Sequence, residues 1–279
     1  LAGLTCARAL RARGVDALVL EAGDAVGGRV RTDEVDGFRL DRGFQVLLTA
    51  YPEARAWLDY GALRLGKFAP GARAATPDGA GRVSDPFREP GRLLETLRAP
   101  VGSLADKARI GRLRLAATRG GLESVWARGE GRTAAQELAA RGFSPAMTER
   151  FLRPWLGGIF LERDLVTPAA MLFFVYRMFA QGHAALPAGG MQRIPEQLAA
   201  GLGAERVRCG ARVAKLEAGA VELADGERIA AREIVLATEG DEALRLAGAG
   251  RAAAWRQVTC VQWAAPESPL AGEPVLWLN

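Results

Sequence analysis

The first twenty residues alternate between apolar runs and a glycine break in a regular order. Small and apolar residues at helical spacing predict a helix over 2–13, and Gly14 stands where a glycine commonly ends a helix. The apolar run Val15 to Leu20 predicts a short strand, and Glu21 follows it directly. A helix, a glycine, a buried strand and a terminal acid are together typical of the second half of a dinucleotide-binding βαβ unit.

The pattern then changes to a glycine-rich loop and a hairpin. The loop covers 22–29, and alternation around the Asp36-Gly37 turn predicts a hairpin over 30–40. Residues 51–150 are mostly helical in pattern, with strands and loops in the Gly/Pro-rich stretch 70–90. The clearer helices in this region are predicted over 51–60, 92–97, 103–118 and 133–141.

Aromatic residues are concentrated in 151–182, where they could line a cavity for an apolar substrate or pack within a helical core. A loop over 186–191 and a helix over 194–202 follow. Strands are then predicted over 207–216, 220–223, 228–230, 234–237 and 274–279. The continuous apolar run Ile234 to Ala237 favours a strand buried on both faces.

The composition is that of a folded globular protein, with 279 residues, 49% of them hydrophobic and 25% charged. The net charge is +5, but the arginines are scattered among acids. Without a basic stripe or an aromatic stacking platform, we expect no nucleic-acid partner. The longest apolar stretch is far shorter than the ~18 residues of a membrane span, so we expect no integral membrane segment.

The cysteines and the single histidine limit the chemistry further. Cys6, Cys209 and Cys260 lie far apart in sequence, and we interpret them as buried structural thiols in a reduced, cytoplasmic compartment. The histidine, His183, lies at a predicted helix end, where a surface or helix-capping role is favoured over an active-site role. These residues make no metal-ligand pattern, so we expect no metal site.

The candidate chemistry lies near the start of the chain. A Glu21 carboxylate at the carboxyl end of a strand can accept both hydroxyls of a ribose, although a solvated acid is the alternative for a lone glutamate. Gly27 and Gly28 allow close approach to a pyrophosphate, and Arg29 beside them supplies charge, whereas the alternative is an ordinary turn. The ordered combination is more specific than either part, and it favours dinucleotide binding.

Several of these motifs together resemble a known family. The stretch Glu21 to Thr32 resembles the segment after the Rossmann turn in the flavin-containing amine oxidase and phytoene desaturase superfamily, and Gly37 to Gly43 resembles the segment that follows there. Leu186 to Met191 is similar to the family's Gly-Gly-Met stretch. Phe151 to Trp155 looks more like the phytoene-dehydrogenase-like members.

The resemblance implies FAD, bound noncovalently in an extended conformation. It places Gly3 and Arg29 at or near the pyrophosphate, Glu21 at the ribose, Gly43 toward the flavin and the main chain of Val213 at the adenine. The cofactor-binding residues that it implies are Gly3, Glu21, Ala22, Gly27, Gly28, Arg29, Gly43 and Val213. The family's first two fingerprint glycines and its C-terminal cofactor segment have no match here, so we expect a chain truncated at both ends.

The predicted fold class is α/β, an incomplete Rossmann-type FAD-binding domain with an inserted, largely helical substrate domain. The predicted domains are 1–50 and 185–250 for FAD, 51–184 for substrate, and 251–279 for the start of a substrate-domain sheet.

The expected function is that of an FAD-dependent oxidoreductase that removes a hydride equivalent from a C–N or C–C bond of a small or apolar substrate. A carotenoid- or phytoene-type desaturase or isomerase is an alternative, and so is a noncatalytic flavin-binding scaffold. Catalytic residues are not assigned, and the electron acceptor, oxygen or another, stays open.

Overall fold

The computed structural model describes residues 1–251, 254–267 and 272–278. The strands are β1 Val19–Leu20, β2 Thr32–Val35, β3 Phe38–Asp41, β4 Leu47–Leu48, β5 Leu65–Lys67, β6 Gly71–Thr76, β7 Gly79–Ser84, β8 Ala184–Pro187, β9 Val207–Arg208, β10 Val213–Glu217, β11 Ala220–Leu223, β12 Arg228–Ala230 and β13 Leu276–Leu278. The α-helices are α1 Ala2–Arg11, α2 Pro52–Trp57, α3 Tyr60–Leu63, α4 Leu93–Arg98, α5 Leu104–Thr118, α6 Leu122–Trp126, α7 Ala134–Ala140, α8 Pro145–Met147, α9 Arg153–Phe160, α10 Ala169–Gln181, α11 Arg193–Ala200 and α12 Gly240–Ala247. Short 3-10 turns cover Pro90–Arg92 and Ala204–Arg206, and a π-helical turn covers Thr148–Leu152.

The chain divides into two compact units, each assembled from separate stretches of sequence. Unit 1 comprises Leu1–Gln45, Arg55–Leu65 and Pro187–Trp255, and unit 2 comprises Val46–Ala54, Gly66–Leu186 and Arg256–Asn279. Both contain helices and sheets, in agreement with the predicted α/β class. The functional roles assigned to the domains from the sequence stay predictions.

Unit 1 is built on a helix pair and a parallel strand pair. Helix α1 packs against α11 because each presents a small, apolar stripe, with Leu4 and Ala7 buried against Leu198. Strand β1 pairs in parallel with β9, with Val19 opposite Val207. The predicted helix is confirmed, and Gly14 after it has a φ of +76°. The strand predicted over 15–20 is shorter than expected.

Turn residues fix the antiparallel parts of unit 1. Asp36 and Gly37 both have positive φ, +50° and +82°, as a two-residue hairpin turn requires, and they join β2 to β3. Strands β10, β11 and β12 form a three-stranded meander, and Gly226 turns at a φ of +89° between its last two strands. The hairpin predicted over 30–40 is therefore confirmed, and the strands predicted over 220–223 and 228–230 form a second one.

Unit 2 has the larger described core. Helices α5, α7, α9 and α10 bury their apolar faces together around fully enclosed residues such as Leu113, Leu138 and Leu172. One sheet has the order β13-β6-β7, with β13 parallel to β6 and β6 antiparallel to β7. A second sheet has the order β4-β8-β5. The strand predicted over 274–279 is confirmed for Leu276–Leu278, while Asn279 lies outside the described residues.

Several sequence predictions are wrong in detail. The helix predicted over 51–60 is two short helices, because Asp59 accepts hydrogen bonds from the amides of Gly61 and Ala62 and starts α3 anew. The strand predicted over 207–216 is interrupted between β9 and β10. The strand predicted over 234–237 is absent from the described structure, and Val235 is 63% exposed. A strand needs a neighbour to satisfy its backbone groups, and an apolar run alone does not supply one.

The helix start at Thr133 and the cysteines also differ from expectation. At the start of α7 the spacing of Thr133 and Glu137 predicts only a loose capping pair, since it is four residues rather than three; Gln136 instead closes the capping box, its side chain accepting from the Thr133 amide at 2.9 Å. Cys209 and Cys260 are exposed rather than buried, and Cys6 is half-buried. Exposed glycine-flanked and extended stretches hold the first two, so their thiols have little apolar surface to pack against.

The described residues include neither a membrane-spanning helix nor a metal-ligand cluster. In residues 1–251, 254–267 and 272–278, no helix combines the length and hydropathy needed to cross a bilayer. Over the same ranges, His, Cys, Asp and Glu side chains form no group of three that could hold a metal ion.

Candidate functional site

The backbone of unit 1 places Glu21 immediately beyond the end of β1. Its N–H donates to the Arg208 carbonyl at 2.9 Å, and its own carbonyl accepts from the Ala211 amide at 2.9 Å. These two bonds continue the parallel pairing past the strand and fix where the side chain starts. The carboxylate accepts from the Gly23 amide through Oε1 at 2.7 Å and is half-buried. One carboxylate oxygen is thus held by the loop.

The two glycines of the following loop have different structural roles. Gly27 has a φ of +125°, and a Cβ on it would lie 2.5 Å from the Val30 carbonyl oxygen and 2.9 Å from Cγ of Pro195 in α11. Gly28 has a φ of +60°, and a Cβ there would meet nothing within 4 Å. Gly27 therefore allows the loop to pack against α11, while Gly28 presents its backbone to open space where a ligand can approach.

Arg29, next in the chain, carries an exposed charge. Its side chain is 78% exposed, and its Nε lies 3.2 Å from Oε1 of Glu239, which directly precedes α12. Two residues later the Arg31 guanidinium donates to the Asp24 carboxylate at 2.7 Å, and this bond is the main cause that lowers the pKa of Asp24. Asp24 and Arg31 thus hold the loop together at its surface, and Arg29 is paired only with a residue outside the loop among the contacts that the structure describes.

The start of α1 lies near the same loop. A Cβ on Gly3 would lie 3.3 Å from Cβ of Ala237, two residues before the partner of Arg29. The Glu21 carboxylate lies close enough to Leu1, the N-cap of α1, to act on it electrostatically. The first turn of a helix carries free amide hydrogens and a partial positive charge, which suits an anion. The structure therefore brings Gly3, Glu21 and Arg29 to one side of unit 1.

A hydrogen-bond network that the sequence did not reveal holds this loop to a distant segment. The Asp41 carboxylate accepts from the Thr32 hydroxyl at 2.5 Å and from the Met191 amide at 2.9 Å. The Thr32 hydroxyl oxygen accepts from the Gln192 amide at 3.0 Å, and the Gln192 side-chain amide donates to the Val26 carbonyl at 2.9 Å. We call Val26, Thr32, Asp41, Met191 and Gln192 the anchor network. It fixes both flanks of the Gly27-Gly28-Arg29 turn.

Glycine is also required where the anchor network is tightest. Gly190 has a φ of +85°, and a Cβ on it would lie 2.4 Å from the Thr32 hydroxyl oxygen. Thr32, Asp41 and Gly190 lie in the three stretches that resemble the family, and the sequence predicts no structural role for them. Their separation by about 150 residues hides the contact from any local pattern.

The remaining predicted site residues are less closely tied to this group. The Val213 carbonyl, at the start of β10, accepts from the Arg245 guanidinium of α12 at 3.1 Å. Gly43 has a φ of +90° with open space where a Cβ would be, and Ala22 is exposed in the loop after Glu21. No described contact joins Val213, Gly43 or Ala22 to Arg29, so their cofactor roles stay predictions.

The residues present fit a dinucleotide such as FAD. A half-buried carboxylate keeps acceptor capacity for hydroxyl donors, an open left-handed glycine leaves room for a phosphate, and an outward arginine can neutralise it. On this basis Glu21 would hold the ribose, and Gly28, Arg29 and the first turn of α1 would hold the pyrophosphate.

Solved structures with the same fold come from oxidases and an oxidoreductase. A variant of putrescine oxidase matches with a TM-score of 0.61 and 22% identity, covering 87% of this chain and 57% of its own. Cyclohexylamine oxidase from Brevibacterium oxydans matches with a TM-score of 0.56 and 18% identity over the same shares of the two chains. An oxidoreductase from Methanosarcina mazei matches with a TM-score of 0.60 and 18% identity, covering 83% of this chain and 55% of its own.

The present chain thus spans little more than half the length of the solved structures that it resembles. At these identities the likeness shows the fold alone. No curated protein matches the chain.

Family membership rests on the sequence itself. Residues 1–264 match the family described as flavin containing amine oxidoreductase, which agrees with the resemblance noted from the motifs and confirms the expected flavin cofactor. Because the match covers most of the chain, this protein belongs to the family of flavin containing amine oxidoreductases.

Proposed function

We propose that this chain supplies the FAD-binding and substrate-binding parts of an oxidoreductase that removes a hydride equivalent from a C–N bond of a small or apolar substrate. The family match and the amine-oxidase fold neighbours support an amine as the substrate class. The electron acceptor stays open.

The observation that carries the proposal is the convergence of Glu21, the Gly28-Arg29 turn and the first turn of α1 in unit 1. The acid comes from the end of a strand, the turn from a loop anchored to α11, and the helix from the start of the chain. Three independent segments thus supply a ribose acceptor, an open backbone turn and an anion-attracting helix end, in the order that a dinucleotide presents them.

When bound, FAD supplies the hydride-accepting chemistry, so this chain needs no acid–base triad of its own. Glu21 would orient the adenosine ribose by accepting from its hydroxyls, and Arg29 would neutralise the pyrophosphate. The anchor network would keep the turn between them from moving. These residues position the cofactor and do not move a proton in the reaction.

Unit 2 is the candidate substrate domain. Its aromatic residues Trp155, Tyr176 and Phe179 form edge-to-face pairs with ring centroids 5.4–5.6 Å apart, next to a buried helical core. Burial raises the pKa of Tyr176, so its phenol stays neutral at physiological pH. An apolar, neutral surface of this kind suits an uncharged hydrocarbon portion of a substrate. A largely helical inserted domain and a cytoplasmic location are further parts of the proposal.

Measuring FAD binding to Glu21 variants tests the cofactor site. Glu21→Ala should weaken FAD by about 10- to 100-fold, because a charge-assisted hydrogen bond contributes roughly 1.5–3 kcal/mol. Glu21→Gln keeps an acceptor oxygen and should lose less. The matched control is Glu34→Ala, which removes an exposed glutamate from the hairpin strand β2, where its carboxylate lies 3.7 Å from Arg39.

Flavin absorbance after purification, followed by titration of the apoprotein with FAD, gives the affinities. Equal FAD affinity for wild type, Glu21→Ala and Glu34→Ala would show that Glu21 is only a solvated acid. A folded full-length protein that neither carries FAD nor takes it up would overturn the proposal as a whole.

Turnover assays then separate the functional alternatives. Peroxide formation or dye reduction that depends on an added amine supports the C–N assignment. Desaturation of a long polyene without amine turnover would favour the carotenoid-type alternative. Bound FAD that no donor reduces would favour the noncatalytic scaffold.

A further inference from the structure

Arg88 in unit 2 is a half-buried cation without a carboxylate beside it. Its Nη1 donates to the Phe179 carbonyl at 3.0 Å and to the Gly182 carbonyl at 2.6 Å, at the end of α10. Its Nη2 lies 2.8 Å from Nδ1 of His183 and 3.2 Å from Nε2. Throughout the ranges that the structure describes, no carboxylate oxygen lies within 4.0 Å of this guanidinium.

The acids closest to Arg88 in sequence form ion pairs with other arginines. Oδ2 of Asp85 accepts from Arg114 Nε at 3.0 Å, and Oε2 of Glu89 accepts from Arg82 at 2.9 Å. Their charge is therefore already matched. The carbonyls at the end of α10 offer Arg88 only the partial charge of a helix terminus, about half an elementary charge.

His183 lies beside Arg88, and Lys67 comes from β5, where the amide of the next residue, Phe68, donates at 2.9 Å to the carbonyl of Ala184, the neighbour of His183. His183 is fixed by its backbone, since its N–H donates to the Thr49 hydroxyl at 2.8 Å and its carbonyl accepts from the Thr49 amide at 2.9 Å. Lys67, at the end of β5, acts electrostatically on the imidazole. Burial first, and then Arg88 and Lys67, lower the pKa of His183, so the ring is neutral at physiological pH.

The imidazole can therefore act as a third donor. Arg88 has no acceptor lone pair, so the nearer nitrogen, Nδ1, must accept from it. In a neutral ring the proton then lies on Nε2, which can donate to an anion. Arg88 is meanwhile held in place by the two α10 carbonyls before any ligand arrives.

We propose that Arg88, His183 and Lys67 form a binding site for the carboxylate of a small molecule. The remaining Nε–H and Nη2–H donors of Arg88, a neutral imidazole N–H and an ammonium come from three segments, and among the described residues no acid pairs with Arg88. If unit 2 is the substrate domain, as the proposed function has it, the amine substrate also carries a carboxylate, as an amino acid does.

His183 makes the test direct because it is the only histidine in the chain. Its imidazole C–H proton signals in an NMR titration of the purified protein need no assignment. Acetate bound at the site should raise the pKa of His183 by about 1, because an opposite charge nearby favours the protonated ring. Sodium chloride at equal ionic strength is the reference, since general screening of Arg88 and Lys67 acts in both salts.

Two variants test whether the acetate-induced change in the pKa of His183 comes from the proposed site. Arg88→Gln should weaken acetate at least about tenfold through the loss of charge-assisted hydrogen bonds. Lys67→Gln changes an exposed side chain that no described hydrogen bond or ion pair holds, so it should fold normally and weaken acetate severalfold. Lys215→Gln is the matched control, because Lys215 is paired with Glu217 in unit 1, and it should leave the acetate response unchanged.

An equal pKa of His183 in acetate and chloride would overturn the proposal. An acetate response that Lys67→Gln and Lys215→Gln reduce equally would also overturn it, because the effect would then be general. Phosphate binding more tightly than acetate would show that the ligand class is wrong. None of these readouts needs bound flavin or turnover, so failure here is distinct from failure of the FAD site.

Discussion

Two carboxylates, one in each unit, differ in how completely the protein fills their hydrogen-bonding capacity. Asp106 in unit 2 is 0% exposed and accepts from the amide and the hydroxyl of both Ser103 and Ser144 at 2.7–2.9 Å. Glu21 in unit 1 is half-buried and accepts a single described hydrogen bond, from Gly23. The first acid has its acceptor capacity filled by the protein, and the second keeps capacity free.

Two arginines, one in each unit, show the same contrast in how completely the protein pairs their charge. Arg82 in unit 2 has a side chain that is 0% exposed and bonds to Ser84, Glu89 and Glu273. Arg29 in unit 1 is 78% exposed and meets Glu239 alone. A charge saturated by its neighbours stabilises the fold, whereas a charge held in place but left accessible is available to a ligand.

Removing a saturated acid should have the largest effect on stability. Asp106→Ala leaves two amides and two hydroxyls at a buried site without their acceptor, which should lower the free energy of unfolding by about 3 kcal/mol. Urea unfolding measures this loss. Asp78→Ala removes an exposed acid paired with Arg150 and serves as the control, with a change below about 0.5 kcal/mol. An equal loss in the free energy of unfolding for the two variants would show that Asp106 does not stabilise the fold more than an exposed acid does.

The neighbouring glycines of the unit 1 turn provide the next test. Gly27→Ala forces a Cβ against the Val30 carbonyl and Pro195, so it should lower the free energy of unfolding by at least about 2 kcal/mol. Gly28→Ala meets no atom and should cost about 1 kcal/mol, the conformational penalty alone. Thermal unfolding of the two variants measures the difference, and a larger loss for Gly28→Ala would contradict the roles assigned to them.

Acid pH should weaken unit 2 through Asp106. Burial alone would raise the pKa of this carboxyl, but hydrogen bonds from Ser144 and Ser103 outweigh burial and lower it far below the ordinary value. The resulting stabilisation is complete above the unfolded pKa of about 3.9 and is lost as pH falls toward the folded pKa, by up to about 1.4 kcal/mol per pH unit.

Urea unfolding of wild type between pH 5 and pH 2.5 (chosen to span the ordinary carboxyl range) measures this slope. Asp106→Asn cannot ionise and should show a shallower slope over the same interval. Parallel slopes for the two proteins would mean that other carboxyls govern acid unfolding.

Removing an accessible charge should have the smallest effect on stability and a clear effect on the ligand. Arg29→Ala should change the free energy of unfolding by less than about 0.5 kcal/mol, because its only ion pair is exposed on both sides. FAD affinity should nevertheless fall about tenfold if Arg29 meets the pyrophosphate. Calorimetric titration with FAD and urea unfolding on the same preparation compare the two quantities. A loss in the free energy of unfolding without a loss in FAD affinity would show that Arg29, like Arg82, stabilises the fold and does not bind the ligand.

The parts of the fold that the sequence predicted are those with local causes. Asp36 and Gly37 tolerate positive φ, so the hairpin of β2 and β3 follows from two residues. Gly14 likewise marks the end of α1. By contrast, the apolar run at 234–237 suggested a strand, but strand formation depends on a partner elsewhere in the chain, which no local pattern records.

In the candidate site, too, the sequence predicted the residues that are close together along the chain and missed the contacts between distant ones. Glu21, Gly28 and Arg29 lie within nine residues and could be recognised from their order. The anchor network could not, because the Asp41 carboxylate meets the Met191 amide across 150 residues. The contact between Arg88 and His183 could not be predicted from the sequence for a related reason. The lack of a carboxylate beside Arg88 is visible only when its neighbours in space are known.

The anchor network also sets an order of events during synthesis. Asp41 cannot make its bond until Met191 has left the ribosome, and at about 5–20 residues per second those 150 residues take roughly 8–30 s. Through that interval the segment 1–45 must persist without the α11 helix that covers α1 and the loop. Unit 2, whose stretch 66–186 is continuous, can complete most of its core in the meantime. The segment 1–45, made before the rest of unit 1, therefore becomes native only after most of unit 2 has been made, and its exposed apolar residues are what a chaperone would meet on the nascent protein.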